Sequence, residues 1–324
     1  MKTRRGFLAY LTAACTVPLD VFGQQPIAKI PRVGVLLYNS PDVEPIGSLL
    51  QGLQALNRID GKTITVDYRF AHGRGELLPA LAAELVSLKP DVIVAFGGDV
   101  APQAQKATST IPIVALVSND PVESKLVASV GRPGANLTGM TMIYNELAGK
   151  VVQLLKEAVP SISRVAVLWN PDHADPEYRE TRRAAAGLGV DILSLEVRKE
   201  SDFQPAFETA LRERAEGLLI ISTRLLTQHR KMIVDFGLKN QIIMAGNWGD
   251  WTKDGLLFTY GPDMTEMMSG LAVYVDKVLK GTNPADIPMQ RPTRFHLIVN
   301  LKAAKSLAIV VPESILARAD ELIQ

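Results

Sequence analysis

The sequence alternates strand-type and helix-type segments, and this alternation most constrains the fold. Short apolar runs occupy residues 32–38, 91–96 and 111–117, while residues 43–56 and 77–88 place apolar side chains at helical spacing. Continuous apolar runs of this length are typical of strands that are buried on both faces of a sheet. The alternation therefore predicts an α/β fold, in which helices cover a parallel sheet.

The same order of segments occurs a second time along the chain. Residues 164–169 repeat the pattern of the first strand, and residues 191–197, 217–222 and 241–245 repeat those of the next three. We predict two doubly wound parallel-sheet lobes joined by a multi-strand hinge; one long sheet is the alternative. The first lobe comprises residues 32–141 and about 259–292, and the second residues 142–258 and about 293–324. A glycine-rich stretch, residues 131–139, interrupts the alternation near the end of the first lobe.

The first 23 residues have the pattern of an export signal. A basic start that includes Arg4 and Arg5 precedes a short apolar run, which is too short to span a bilayer as a stable helix. The arginine pair favours the twin-arginine route, but Ala9 replaces the usual lysine, so the ordinary secretory route stays open. Lipid attachment at Cys15 is not expected, because Leu11 lies one residue too far upstream. We expect the mature chain to be periplasmic.

Composition and motifs argue against several classes of protein. The chain has 35 Lys+Arg and 34 Asp+Glu, so it lacks the excess of basic residues typical of nucleic-acid binders. Its single cysteine excludes a disulfide framework and a thiolate metal cluster. No nucleophile elbow, Walker A or dinucleotide motif is present, and the histidines lack metal-ligand spacing. We therefore predict no catalytic residues, no metal and no cofactor. The four histidines are His72, His173, His229 and His296.

Polar, aromatic and glycine residues follow the predicted strands at the point where each strand ends. Ligands of open α/β sheets bind outside the carboxyl ends of the strands, so these loops predict a binding cleft. At any single position, ordinary helix capping or an Asx turn is the favoured explanation, and the cleft is predicted because six such loops lie on one side of the two lobes. The predicted ligand-binding residues are Tyr38, Asn39, Gly97, Gly98, Asp99, Asn119, Asp120, Trp169, Asn170, Thr223, Asn247 and Trp248.

Several longer segments carry motifs of one known family. They are residues 107–114, 119–122, 126–139, 260–263, 272–281, 284–288, 292–305 and 318–321. In these segments the chain resembles the periplasmic substrate-binding proteins of ABC transporters, in a subfamily related to tryptophan and tyrosine binders. The resemblance implies a type I periplasmic-binding-protein fold, with three crossings between lobes and a ligand held between them. It also implies a transporter permease as partner, and we expect a monomer.

The sequence thus predicts a solute-binding protein for a small organic molecule, such as an amino acid or an aromatic acid. Gly98 and Asp99 stand where many relatives have Thr-Pro, so Asp99 is the best candidate for a specificity determinant, through contact with a cationic group. A periplasmic ligand sensor is the alternative within binding proteins. An enzyme of the same shape is less favoured, since His173, near Asp172 and Asp175, is its only local candidate for acid–base chemistry.

Overall fold

The computed structural model describes residues 29–41, 46–118, 120–142, 145–172 and 177–324. The predicted export signal, residues 1–23, lies outside this part of the chain. Strands occur at β1 (Arg32–Leu37), β2 (Thr65–Phe70), β3 (Val92–Phe96), β4 (Ile113–Val117), β5 (Leu137–Thr141), β6 (Arg164–Trp169), β7 (Asp191–Glu196), β8 (Gly217–Ile220), β9 (Ile243–Gly246), β10 (Phe258–Pro262), β11 (Phe295–Asn300) and β12 (Glu321–Ile323). Helices occur at α1 (Ile46–Ala55), α2 (Leu78–Ser87), α3 (Val100–Ala107), α4 (Asn145–Ala158), α5 (Glu177–Gly187), α6 (Phe203–Arg212), α7 (Arg224–Gln228), α8 (Arg230–Lys239), α9 (Met264–Leu279), α10 (Leu301–Ser306) and α11 (Glu313–Leu316).

Two sheets form two lobes, which confirms the predicted α/β class. The first sheet has the order β2-β1-β3-β4-β5, and all of its neighbours pair in parallel. The second sheet has the order β12-β11-β10-β9-β8-β6-β7, in which only β10 and β11 pair antiparallel. From β6 to β10 it repeats the strand order of the first sheet, as the repeated sequence pattern predicts. We call the units built on these sheets the first and second lobes.

Each sheet is covered by helices on both faces, and this explains the apolar runs. In the first lobe, α1 and α9 pack on one face of the sheet, while α2 and α3 pack on the other. In the second lobe, α4 and α5 cover one face, and α6 and α8 cover the opposite face. Strands β3 and β4 are buried along their whole length, because neither of their faces meets water.

The glycine-rich stretch at residues 131–139, which interrupts the predicted alternation, runs into a strand at its end. Leu137 begins β5, which pairs with β4, and Thr138 donates a hydrogen bond to the Ile287 carbonyl at 2.6 Å. Glycine and threonine give this strand no apolar run, and a glycine inside a strand is easily taken for a turn. The strand β10 ends in Gly261-Pro262 and was not predicted for the same reason.

The chain passes between the lobes after β5, after β10 and before β11. Helix α9 returns to the first lobe, where it packs on α1, although β10 itself belongs to the second sheet. The predicted division placed residues 259–262 in the first lobe, but these residues belong to β10, which pairs with β9 and β11 of the second sheet. Residues 287–290 then run beside β5, where Gln290 accepts a hydrogen bond from the Thr141 amide at 2.9 Å. Within the described residues, no helix is both long and apolar enough to cross a membrane.

Candidate functional site

A cavity lies between the carboxyl ends of the two parallel sheets. It encloses about 860 Å³ of space, part of which is open to solvent. Both lobes contribute to its wall. The lining residues are Asn39, Phe96, Gly97, Ser118 and Met142 from the first lobe, and Ser222, Thr223, Arg224, Thr227, Arg230, Trp248, Asp250 and Trp251 from the second.

The first-lobe wall is built from strand ends. Asn39 follows β1, Phe96 and Gly97 end β3, Ser118 follows β4, and Met142 follows β5. Because parallel strands end at the same edge of a sheet, residues far apart in sequence meet there. Gly97 has a φ of +108°, and a Cβ atom at this position would lie 1.7 Å from the Arg224 guanidinium. A larger residue would therefore exclude that guanidinium from the wall.

The second-lobe wall presents hydroxyls, two guanidiniums and two indoles. Thr223 caps α7 by accepting a hydrogen bond from the Leu226 amide, which fixes the start of the helix that carries Arg224. Arg230 lies over the Trp251 ring, with its guanidinium carbon 5.5 Å from the ring centroid, and forms an ion pair with Asp254. Trp248 is half-buried and packs against the cores of both lobes.

Arg224 reaches across the cavity to the first lobe. Its Nη2 donates to the Phe96 carbonyl at 2.9 Å, and its Nε lies 3.0 Å from the Asp99 carboxylate. The guanidinium carbon also lies 4.2 Å from the centroid of the Tyr38 ring, which is within the range of a cation–π contact. Arg230 and Arg224 together bring two positive charges to one cavity.

Only some of the twelve predicted ligand-binding residues line the cavity in the part of the chain that the structure describes. Four of them line the cavity: Asn39, Gly97, Thr223 and Trp248. Tyr38 and Asp99 contact Arg224 behind the wall, and Gly98 is buried next to Gly97 without lining the cavity. Asn119 and the enzyme candidate His173 lie outside the described residues.

The remaining four residues of the prediction make local contacts. Asp120 accepts hydrogen bonds from the Val122 and Glu123 amides, and Asn170 accepts one from the Asp172 amide. These are Asx-type turns, the alternative that the sequence left open. The other two residues, Trp169 and Asn247, also do not line the cavity. Trp169 stacks on Tyr178 at 4.1 Å, and the buried Asn247 donates to both carboxylate oxygens of Glu177 at 3.0 and 3.1 Å.

Sequence reasoning missed Arg224, Thr227 and Arg230. The predicted site includes Thr223, at the end of the predicted strand 217–222, but not the arginine that follows it. Arg224 and Thr227 lie three residues apart in α7, which is the spacing of one helix face, and Arg230 begins α8. That spacing was the available signal for Arg224 and Thr227, and the structure places all three residues at the same cavity.

The side chains of the cavity wall suit the binding of a small molecule. No cluster of three or more metal-ligating side chains occurs in the described ranges. The wall offers hydroxyl and guanidinium donors for a negatively charged group and aromatic surface for an apolar one. The Asp250 carboxylate at the cavity edge is exposed and makes no ion pair with any residue that the structure describes. A wall of this composition is chemically suited to a small molecule that has both polar and aromatic parts.

Similar proteins of known structure share the architecture. A conserved domain protein from Vibrio cholerae is 27% identical, with a TM-score of 0.83, over 91% of this chain and 100% of that chain. The ABC domain from Streptococcus pneumoniae, solved in complex with L-Trp, is 20% identical, with a TM-score of 0.81, over 90% of this chain and 99% of that one. The fold is therefore that of the type I periplasmic binding proteins, as the resemblance implied.

Sequence comparison gives the family. The chain is similar to the tyrosine-binding protein of Clostridioides difficile (strain R20291), with 24% identity over 250 residues that cover 76% of this chain and 72% of the relative. The family profile described as ABC transporter substrate binding protein matches residues 39–323, which is nearly the whole chain. This protein belongs to the ABC transporter substrate-binding protein family.

Proposed function

We propose that this protein delivers a small organic molecule to an ABC-type importer, and that it binds this molecule in the cavity between the lobes. The observation that carries the proposal is the composition of the cavity wall, which takes residues from both lobes. A ligand that contacts both lobes at once stabilises the closed arrangement over the open one. Binding then acts as a population shift between the two arrangements.

The ligand that fits this wall best is an amino acid or an aromatic acid. The indoles of Trp248 and Trp251 and the ring of Phe96 offer aromatic surface, on which a planar ligand stacks. The Arg230 guanidinium in the cavity wall suits a carboxylate, and the exposed Asp250 carboxylate suits an ammonium group. The names of two similar proteins, which refer to tyrosine and to bound L-Trp, support this class of ligand.

The partner in this proposal is the membrane permease of the transporter. Substrate-binding proteins of ABC transporters are typically extracytoplasmic, and residues 1–23 have the pattern of an export signal. We propose that the mature protein is a periplasmic monomer that binds its ligand without converting it. Amino-terminal sequencing of protein from the periplasmic fraction tests export: a mature chain that still begins at Met1 would contradict the proposed cleavage.

The direct test of the proposed function is mass spectrometry of the molecule that co-purifies with the protein. A thermal-shift panel of amino acids, aromatic acids and aromatic amines complements it, because a ligand at 100 times its Kd stabilises the folded state by about 2.7 kcal/mol. We expect carboxylates with an aromatic ring to give the largest shifts. Chemical conversion of the bound molecule, or no shift with any carboxylate, would overturn the proposal.

A further inference from the structure

The first observation is that direct polar contacts join the two lobes beside the cavity. Helix α7 of the second lobe approaches the carboxyl ends of β1, β2 and β3 in the first lobe. Arg224, at the start of this helix, bonds to the Phe96 carbonyl and lies 3.0 Å from the Asp99 carboxylate. Gln228, at its end, donates to the Gly73 carbonyl at 3.0 Å and to the Tyr38 hydroxyl at 3.3 Å. Both ends of α7 are thus tied to the other lobe.

The second observation is that these contacts use protein groups on both sides. A ligand between the lobes normally supplies the bonds that favour closure. Here an ion pair, a cation–π contact with Tyr38 and hydrogen bonds from two side chains supply bonds of the same kind. The Arg224 side chain is only 19% exposed, so water screens its interactions less than those of a free surface pair. The absence of a side chain at Gly97 gives the guanidinium its place.

We propose that Asp99, Arg224, Tyr38 and Gln228 form a latch that holds the lobes together before any ligand binds. In this view Asp99 controls affinity through the balance of open and closed forms, and not by contact with the ligand. The proposal rests on the lobe closure proposed above. Because the apparent affinity is the intrinsic affinity multiplied by the closed fraction, a weaker latch lowers affinity for every ligand by the same factor.

The test measures lobe separation in the absence of ligand. Cys15, the only cysteine, is replaced by serine, and spin labels are attached to the exposed helix positions 106 and 239 through Lys106→Cys and Lys239→Cys. Pulsed electron resonance then gives the distribution of distances between the lobes. We expect Asp99→Asn to shift the closed-to-open ratio toward open by about two- to fivefold, the range for a partly exposed ion pair. Gln228→Ala, at the exposed end of the latch, is expected to act in the same direction.

The matched control is Glu84→Gln. Glu84 forms an ion pair with Arg69 at 2.8 Å. Like the pair of Asp99 and Arg224, it joins an arginine to an exposed carboxylate, but both of its residues belong to the first lobe. This variant is expected to leave the distances unchanged. Raising the salt concentration from about 0.1 to 1 M shortens the screening length from about 10 to 3 Å, so it should open the wild-type protein more than Asp99→Asn. Distances in Asp99→Asn identical to those of the wild type would overturn the latch.

Affinity measurements separate the latch from direct contact. With a latch, Asp99→Asn weakens an aromatic amino acid and the matching amine-free acid by the same factor. A loss confined to the ligand with an ammonium group would overturn the latch and make Asp99 a ligand contact. The distance measurement needs no ligand, so its result stands even if the proposed ligand class is wrong.

Discussion

At the scale of single residues, the same residue type serves different purposes at equivalent strand ends. Trp169 follows the core of β6 and stacks on Tyr178, with its indole nitrogen donating to the Ser194 hydroxyl at 2.9 Å. Trp248 follows β9 and lines the cavity, where it packs against both lobes. The sequence offers no local difference between them, because both are tryptophans beside an asparagine at the end of an apolar strand. Their neighbours in space decide their roles.

This difference gives a prediction for ligand affinity. We expect Trp248→Ala to weaken binding of the co-purified ligand by about 1.5–3 kcal/mol, or roughly ten- to hundredfold in Kd, because the ligand loses an aromatic wall. Trp169→Phe is the matched control, since it preserves stacking on Tyr178 away from the cavity and should leave Kd unchanged. Isothermal titration calorimetry measures both. If the two variants bind equally well, the ligand does not contact Trp248.

At the scale of elements, the contact between α1 and α9 joins segments from distant parts of the chain. Gly52 permits the close approach of the two helices, because a Cβ atom at this position would lie 2.6 Å from the Ser269 carbonyl oxygen. Asp276 of α9 forms an ion pair with Arg58 at 2.9 Å and with Lys280 at 2.6 Å. Burial raises the pKa of Asp276, but hydrogen bonds from Lys280 and Arg58 outweigh this effect, so its pKa is lower than usual. Packing and charge together hold α9 on the first lobe.

The helix contact gives a prediction for stability. Gly52→Ala should lower the free energy of unfolding by about 1–3 kcal/mol, because the methyl group overpacks the interface with α9. Gly47→Ala, in the same helix, meets no atom within 4 Å and should be neutral or stabilise by up to about 1 kcal/mol. Urea unfolding followed by circular dichroism compares the two variants. Equal effects of both substitutions would contradict the close approach of α1 and α9.

At the scale of the whole molecule, two similar sheets with the same strand order face each other across one cavity. All three tryptophans, Trp169, Trp248 and Trp251, belong to the second lobe. Tryptophan fluorescence therefore reports on that lobe, while circular dichroism reports on both. Three chain crossings and the contacts of α7 connect the lobes, and residues 31–324 form one compact unit.

This connection predicts how ligand changes unfolding. At 100 times Kd, the ligand should add about 2.7 kcal/mol to the free energy of unfolding, and the midpoints from fluorescence and circular dichroism should rise together. Both lobes contribute to the cavity wall, so the ligand stabilises them as one unit. Chemical denaturation with both probes, with and without ligand, is the measurement. A rise in the fluorescence midpoint alone would mean that the ligand binds only the second lobe.

The sequence by itself determined the fold class and the repeat. Apolar runs such as 32–38 and 91–96 indicate strands buried on both faces, because every side chain of such a strand contacts other protein atoms and not water. Strand order then follows from known topologies of parallel sheets, which also predict that loops at the carboxyl ends gather at one edge. The strands β5 and β10 were not predicted, because the Thr-Gly and Gly-Pro sequences within them interrupt any continuous apolar run.

Only the tertiary structure decided which strand-end residues line the cavity. Asp120 and Asn170 bond to amides two or three residues away, whereas Arg224 bonds to the Phe96 carbonyl, 128 positions away along the chain. Local and long-range partners suit the same polar residue types, so residue identity does not distinguish them. The choice depends on how the two lobes face each other, and that arrangement is set by packing and chain crossings distributed over the whole molecule.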